Sequence, residues 1–411
     1  MKPSGANGFH TNTAMAKRCS VSIKKGFPEV AIMAGRKHVL CIIGTRPEGI
    51  KMAPVITALR REPWVRVTVL TTAQHRDLLD QVLQLFDIRP DVDLNLMRAN
   101  QSLSQLTERL INGLDRTFAR LAPDAVLAQG DTTTVMAAAL VAFYRRIAFG
   151  HVEAGLRTHD LHNPFPEEMN RRMASHLARW HFVPTERSRQ NLLHEGVEEA
   201  HIHLTGNTVI DSLLQVAAVH RPLALPLDPC KRLILVTAHR RENFGEPFRA
   251  ICRALCSLVA RHPDIEVLYP VHPNPNVFAV AQELLGGHAR IHLCAPLDYM
   301  SFVEAQKRAY LILTDSGGVQ EEAPTLGKPV LIMRDLTERP EAVEAGAARV
   351  VGSDPESIVT AANELLDNAG VYARMSSARN PFGDGRASVR IADLLQTFLD
   401  RGRTPQSTEK V

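Results

Sequence analysis

From residue 38 onward, short apolar runs rich in β-branched residues alternate with longer stretches in which apolar positions recur at helical spacing. The runs fall at 38–43, 66–71, 124–129, 147–152, 180–183 and 201–204, and a second series occupies 232–237, 265–270, 290–293, 310–314, 329–333 and 349–351. Short apolar runs bounded by turn residues predict strands. Helical patterns between them cover 47–60, 103–121, 133–144, 167–179, 248–261 and 300–308. This alternation predicts an α/β chain with parallel sheets and helices on both faces. The Pro-rich segment 220–230, HRPLALPLDPC, separates the two series and places a domain boundary slightly before it, near Gly206. A first domain then spans 37–206 and a second begins at 207.

Composition narrows the class without changing that picture. The chain has 411 residues, 45% hydrophobic and 22% charged, enough for two globular cores. Its net charge of +4 is uneven: the first 36 residues carry +5, which leaves −1 for the remainder. A near-neutral body of this kind is not expected to bind nucleic acid. Six cysteines occur with no Cys-x-x-Cys pair, as expected for reduced thiols in a cytoplasmic protein rather than for structural zinc. The longest apolar run, Val135 to Tyr144, is about half a membrane span, so no membrane partner is expected. Residues 1–36 lack the apolar core of a secretory signal and are expected to form a flexible extension, and 401–411 a frayed polar tail.

Parallel sheets bind ligands beyond the carboxyl ends of their strands, so the residues that follow each run carry the chemistry. After the first run, Gly44 permits a tight turn, Pro47 suits a first helical position, and Arg46 projects a cation near a helix start that favours anions; a simple turn explains the same pattern. In Gly130-Asp131-Thr132-Thr133-Thr134, Thr132 or Thr133 caps the next helix, and Asp131 is either another cap or a carboxylate facing the cleft. Glu153 stands at a buried strand end and needs a partner, which His151 or Arg157 is placed to supply. Pro164-Phe165-Pro166-Glu167-Glu168 stiffens a loop before a helix start, where two acids also suit the helix dipole. His239 beside Arg240 and Arg241 is a poor core residue and a good phosphate-binding or acid–base group, whereas His272 sits in a turn between two prolines. The sharpest signal is Asp315-Ser316-Gly317-Gly318: two glycines directly after a strand, at a helix start, form a cradle for a diphosphate, with Glu322 one turn on. Neither half carries Gly-x-Gly-x-x-Gly after its first strand or a P-loop, which disfavours an NAD enzyme and a P-loop NTPase.

Taken together, GTRPEGIKMAP (44–54), TAQHRDLLDQV (72–82), QGDTTT (129–134), HVEAGLRT (151–158), PFPEEMNRR (164–172), HRREN (239–243), DSGGVQEEAP (315–324) and MRDLTERPEA (333–342) resemble one family. It is the non-hydrolysing UDP-N-acetylglucosamine 2-epimerase family, and the likeness runs in order from about Lys37 to Leu399. The resemblance implies two Rossmann-like domains of the glycosyltransferase-B-like kind, with the active site in the interdomain cleft. A last helix at about 385–400 would return to the first domain, leaving 207–384 as the second. It implies catalytic roles for Asp131, Glu153, Glu167, Arg171 and His239, with Lys51 a further candidate. It places UDP on Ser316, Gly317 and Gly318, with Glu322 at the ribose, Phe302 near the uracil, and His272 and Arg46 completing the site. No metal or redox cofactor is implied. Family members are usually homodimers, and in bacterial members the substrate also acts as an activator in a neighbouring pocket, with which Gln74, His75 and Arg241 are compatible.

The implied reaction inverts carbon 2 of UDP-N-acetylglucosamine to give UDP-N-acetylmannosamine. The proton at C2 lies next to no carbonyl, so the C1–oxygen bond to UDP must loosen first and lend C1 oxocarbenium character. Cations at the cradle would stabilise the departing diphosphate, and two proton-handling groups are needed for the two faces of the ring. The rival readings are a hydrolysing epimerase that releases free N-acetylmannosamine and a UDP-sugar-dependent glycosyltransferase of the same fold. Leu161-His162-Asn163 lies outside the matched motifs, so the sugar substituents accepted are less defined than the reaction type.

Overall fold

The apolar runs become the strands of two separate parallel sheets. A computed structural model of the chain describes residues 35–72, 76–98, 100–219 and 221–401. The first sheet contains β1 (Lys37–Ile43), β2 (Val65–Thr71), β3 (Val92–Asp93), β4 (Ala125–Gln129), β5 (Ala148–Val152), β6 (Trp180–Val183) and β7 (Ile202–Leu204). The second contains β8 (Arg232–Thr237), β9 (Ile265–Pro270), β10 (Ile291–Cys294), β11 (Ala309–Thr314), β12 (Val330–Ile332) and β13 (Ala348–Val350). Their orders are β3-β2-β1-β4-β5-β6-β7 and β10-β9-β8-β11-β12-β13. All pairs are parallel, with Val39 opposite both Val67 and Ala125 in the first sheet.

Strand runs without polar alternation are explained by burial on both faces. Along β1, Val39, Cys41 and Ile43 enter one apolar cluster while Leu40 and Ile42 enter the cluster on the opposite face. Along β8, Leu233 and Leu235 divide from Ile234 and Val236 in the same way. Ile50 and Val82, which follow strands of the first sheet, join a cluster of the second, so apolar packing continues between the two halves.

The chain passes between the halves twice, at 205–207 and 382–386. Asn207 N–H donates to Phe382 O at 2.7 Å, and a Cβ on Gly206 would stand 3.3 Å from Gly383 Cα. The last helix, Ala387–Arg401, then packs Ile391, Ala392, Leu395 and Leu399 into the core beside β1. Its first turn is fastened by Asp211, whose Oδ1 accepts from Ser388 N at 2.8 Å and whose Oδ2 accepts from Ala387 N at 3.2 Å. No helix among the described residues is long and apolar enough to cross a membrane. Residues 1–34 of the expected N-terminal extension, the polar tail after 401, and both Gln74 and His75 lie outside the described residues.

Candidate active site

In each sheet the strand order reverses once, between β1 and β4 and between β8 and β11. Crevices form at such reversals, beyond the carboxyl ends of the strands. Both carry the residues singled out from sequence.

In the first half, Thr45 Oγ1 accepts from Glu48 N, and Glu48 Oε2 accepts from Gly44 N at 2.5 Å and Thr45 N at 3.2 Å, a reciprocal cap that starts the helix Arg46–Arg60. A Cβ on Gly44 would meet Thr134 Oγ1 at 2.7 Å, so glycine is required for this close approach. Arg46, in the first turn of this helix, is half-buried, and Lys51, five residues on, reaches Glu153 just past β5. After β4, Thr132 is the helix cap, which leaves Asp131 free to pair with Arg171 Nη2 at 2.8 Å. Burial raises the Asp131 pKa against the pull of Arg171, and the nearby Glu153 and Glu167 raise it further.

Glu153 follows β5 with a φ of 63°, the left-handed region that non-glycine residues rarely occupy. Its carboxylate accepts from Gln129 Nε2 and pairs with Lys51 Nζ, and Asn207 Nδ2 donates to it at 2.8 Å. Burial pushes its pKa up, but Lys51, Arg339 and the hydrogen bonds outweigh burial and bring it below the usual value. The partners expected from sequence were His151 or Arg157, and neither serves. His151 Nε2 faces Gly130 O at 2.7 Å, and burial drives its pKa down to about 3. Arg157 instead pairs with Glu195 at 2.7 Å. Strand alternation would put Glu153 on the same face as His151, but Glu153 lies past the end of β5 with a left-handed backbone, so its carboxylate meets partners from elsewhere in the fold.

Asn163–Pro164 and Phe165–Pro166 are cis peptide bonds in the loop before the helix Glu167–Leu177. The two acids at that helix start divide. Glu168 is fully buried and holds Arg171 at 3.4 Å and Arg172 at 3.3 Å, whereas half-buried Glu167 faces Asp131.

In the second half, buried Asp315 organises the end of β8. Its Oδ2 accepts from His239 N and Arg240 N at 2.7 Å each, and its Oδ1 lies 3.4 Å from His239 Nδ1. Burial lowers the His239 pKa; Asp315 opposes this, and Arg240, His272 and Arg46 add to it, which favours the neutral imidazole. His272 stacks on it with ring centroids 5.6 Å apart. No atom lies within 4 Å of a Cβ built on Gly318, while that of Gly317 meets only Arg339 and Arg240 guanidinium atoms at 3.9–4.0 Å. Open backbone flanked by two guanidinium groups is the environment an oxyanion requires.

A cavity of about 190 Å³ joins the halves, lined by Arg46 and Ile50 from the first and by His239, His272, Phe302 and Ser316 from the second. Beside it, Glu322 accepts from Tyr299 Oη at 3.0 Å and Gln306 Nε2 at 2.7 Å, and burial raises its pKa to about 7. Arg241 is exposed on the short turn Arg241–Asn243 and does not line this cavity. Gln129, Asn207, Asp315, Glu321 and Arg339 are not among the site residues named from sequence; Gln129, Asp315 and Glu321 stand in matched motifs beside residues that are, Arg339 stands in the motif 333–342, and Asn207 lies outside every matched motif. Among the described residues, no group of three or more His, Cys, Asp or Glu is arranged to hold a metal ion.

Two parallel-sheet halves with facing strand ends, one rich in carboxylates and the other with a glycine cradle flanked by arginines, define a nucleotide-sugar enzyme of the glycosyltransferase-B-like class. The family model described as UDP-N-acetylglucosamine 2-epimerase matches residues 57–396, and the chain belongs to that family. It is 52% identical over 371 residues to the UDP-N-acetylglucosamine 2-epimerase of Escherichia coli K12, covering 87% of this chain and 98% of the relative. A probable UDP-N-acetylglucosamine 2-epimerase of Ralstonia nicotianae is also 52% identical, over 374 residues, covering 88% of this chain and all of the relative. The crystal structure of UDP-GlcNAc 2-epimerase from Neisseria meningitidis bound to UDP-GlcNAc superimposes with a TM-score of 0.82 at 45% identity, over 88% of this chain and 100% of that one.

Proposed function

We propose that the protein interconverts UDP-N-acetylglucosamine and UDP-N-acetylmannosamine by eliminating UDP and adding it back. The reading rests on two neighbouring groups: Arg46, His239 and Ser316 line the cavity between the halves, and Asp131, Glu153 and Glu167 gather around one another in the first half, with Lys51 linking Glu153 to the helix of the glycine cradle. The C1–oxygen bond breaks heterolytically and its electron pair stays on the diphosphate, whose charge the cations and backbone N–H groups stabilise. The C2 proton passes to a carboxylate, the C2 electrons form the C1=C2 bond, and 2-acetamidoglucal and UDP result. Reprotonation of C2 from the opposite face and return of the diphosphate oxygen to C1 give the epimer. Asp131, Glu153 and Glu167 carry these protons, with Arg171 and Lys51 fixing the charge of the first two. His239, which lines the cavity beside Arg46 and Ser316, donates a hydrogen bond to the leaving oxygen.

On this reading the halves are domains, 37–206 with the last helix and 207–384, and they close over the sugar about Gly206 so that the glucal is not lost to water. The enzyme works in the cytoplasm as a homodimer, with UDP-N-acetylglucosamine as substrate and as activator. Phe143 and Tyr144, exposed side by side at the end of the helix Thr133–Tyr144, are apolar surface suited to a second copy, and sedimentation tests this.

The deciding experiment incubates the protein with UDP-N-acetylglucosamine in D₂O. Both UDP-sugars should appear with deuterium at C2. Free N-acetylmannosamine without its UDP form would establish a hydrolytic outcome instead, and an epimer without label would exclude deprotonation at C2.

A further inference from the structure

Glu153 is bound on both carboxylate oxygens by groups from three parts of the chain. Gln129 reaches Oε2 from the end of β4, while Asn207, at the crossing segment, and Lys51 share Oε1. Lys51 Nζ also lies 3.3 Å from Glu321 Oε2, in the opposite half. Glu321 is in turn paired through Oε1 with Arg339 Nε. It sits on the short helix Gly317–Glu322, one turn beyond the glycine cradle, and the Arg339 guanidinium carbon stands 3.9 Å from the position a Cβ would take on Gly317. A line of alternating charge thus leads from the cradle to the reacting carboxylate: Arg339, Glu321, Lys51, Glu153. Glu321 is 1% exposed and has no part in the reaction described above. Charges buried at this depth are costly unless paired, and weak screening lets each respond to its neighbour.

We infer that Glu321 and Arg339 are positioning residues that couple occupancy of the glycine cradle to the basicity of Glu153. An anion at the cradle draws on Arg339, Glu321 then takes a larger share of Lys51, and Glu153 becomes the stronger base when substrate is in place. The inference rests on the assignment of the cradle to a diphosphate and of Glu153 to proton transfer. The charged groups around Glu153 are Lys51, Glu321 and Arg339, together with Asp131 from the turn after β4; Gln129 and Asn207 are neutral. Loss of Glu321 removes a competitor for Lys51, and loss of Arg339 removes a cation. The two changes must therefore move Glu153 in opposite directions.

The test follows Glu153 in protein labelled with ¹³C at glutamate carboxyls, its signal assigned by its loss in Glu153→Gln, together with the pH dependence of kcat. Glu321→Gln should lower the ionisation pH of Glu153 by about one unit, and Arg339→Gln should raise it by a similar amount. The weaker base in Glu321→Gln should cost roughly three- to tenfold in kcat. Glu321→Asp, which keeps the charge, should return both readouts toward wild type. UDP should raise the Glu153 ionisation pH in the wild type and raise it by less in Arg339→Gln. Shifts of the same sign in both variants, or none, would overturn the inference. Should Glu321→Gln not fold, the sign in Arg339→Gln decides alone. If the carboxyl signal behaves as described while the wild type forms no epimer, the coupling stands and the epimerase reading falls.

Discussion

Glu153 combines two features that rarely occur together: a left-handed backbone and a carboxylate held ionised in a buried setting. Backbone strain of this kind costs about 1–3 kcal/mol and persists only where surrounding contacts enforce it. Here the enforcing contacts are Lys51, Gln129 and Asn207. Glu153→Gln preserves the shape and removes the base, so turnover should fall on the order of 10²–10⁴-fold while UDP affinity, measured by calorimetry, stays near wild type. Unchanged turnover would remove Glu153 from the chemistry. Gly318→Val makes the complementary change. Its Cβ would enter empty space, so the fold should tolerate it, but the new methyl groups occupy the room a diphosphate needs. UDP should bind at least about tenfold more weakly, a loss of about 1.4 kcal/mol. Equal affinity would mean the phosphates lie elsewhere. The candidate residues at the strand ends were legible because a carboxylate or histidine after an apolar run is unusual in itself. Their partners were not, because Asn207 and Glu321 become neighbours of Glu153 and Lys51 only through the crossing of the chain between halves.

Element by element, the strands were legible wherever burial on both faces wrote a continuous apolar run. The exception is β3, Val92–Asp93, which is too short for any period and is only half-buried. The helix read as 167–179 ends at Leu177, because Ala178 is extended to enter β6. Caps were readable as residue types, and the structure chose among them, taking Thr132 rather than Asp131. The cap at Thr45 has a measurable signature. Glu48 is buried in it, and burial raises its pKa to about 7, only partly offset by hydrogen bonds from Thr132, Gly44 and Thr45. The unfolded value is about 4.3, so the folded state favours the protonated acid. Stability from this group is complete below the unfolded value and is lost as pH rises through the folded one. The unfolding temperature of Glu48→Gln relative to wild type should therefore rise between about pH 4 and pH 7 and level off above about pH 8. A difference independent of pH would mean that folding does not shift the ionisation of Glu48.

At the scale of the molecule, the two halves communicate through the ion pair of Lys51 with Glu321 and through two crossing segments that touch at glycines. The break between the strand series was visible in the sequence, whereas the contact of Gly206 with Gly383 was not, since nearly half the chain separates them. Gly206 has a φ of 90°, and its Cβ would stand 3.3 Å from Gly383 Cα and 3.4 Å from Phe382 O. Alanine there must push the segments apart as well as adopt an unfavourable backbone, and a displacement at a crossing point is magnified across the cleft. Gly196→Ala is the matched control, because Gly196 has a φ of 83° and nothing within 4 Å of its Cβ position. Both variants should lose about 1 kcal/mol of stability from the positive φ. Only Gly206→Ala should also change kcat and KM together and reduce the contraction that UDP produces in small-angle scattering. If the two variants differ in neither respect, closure does not turn on this glycine pair, and the halves must move about another point or act as one body.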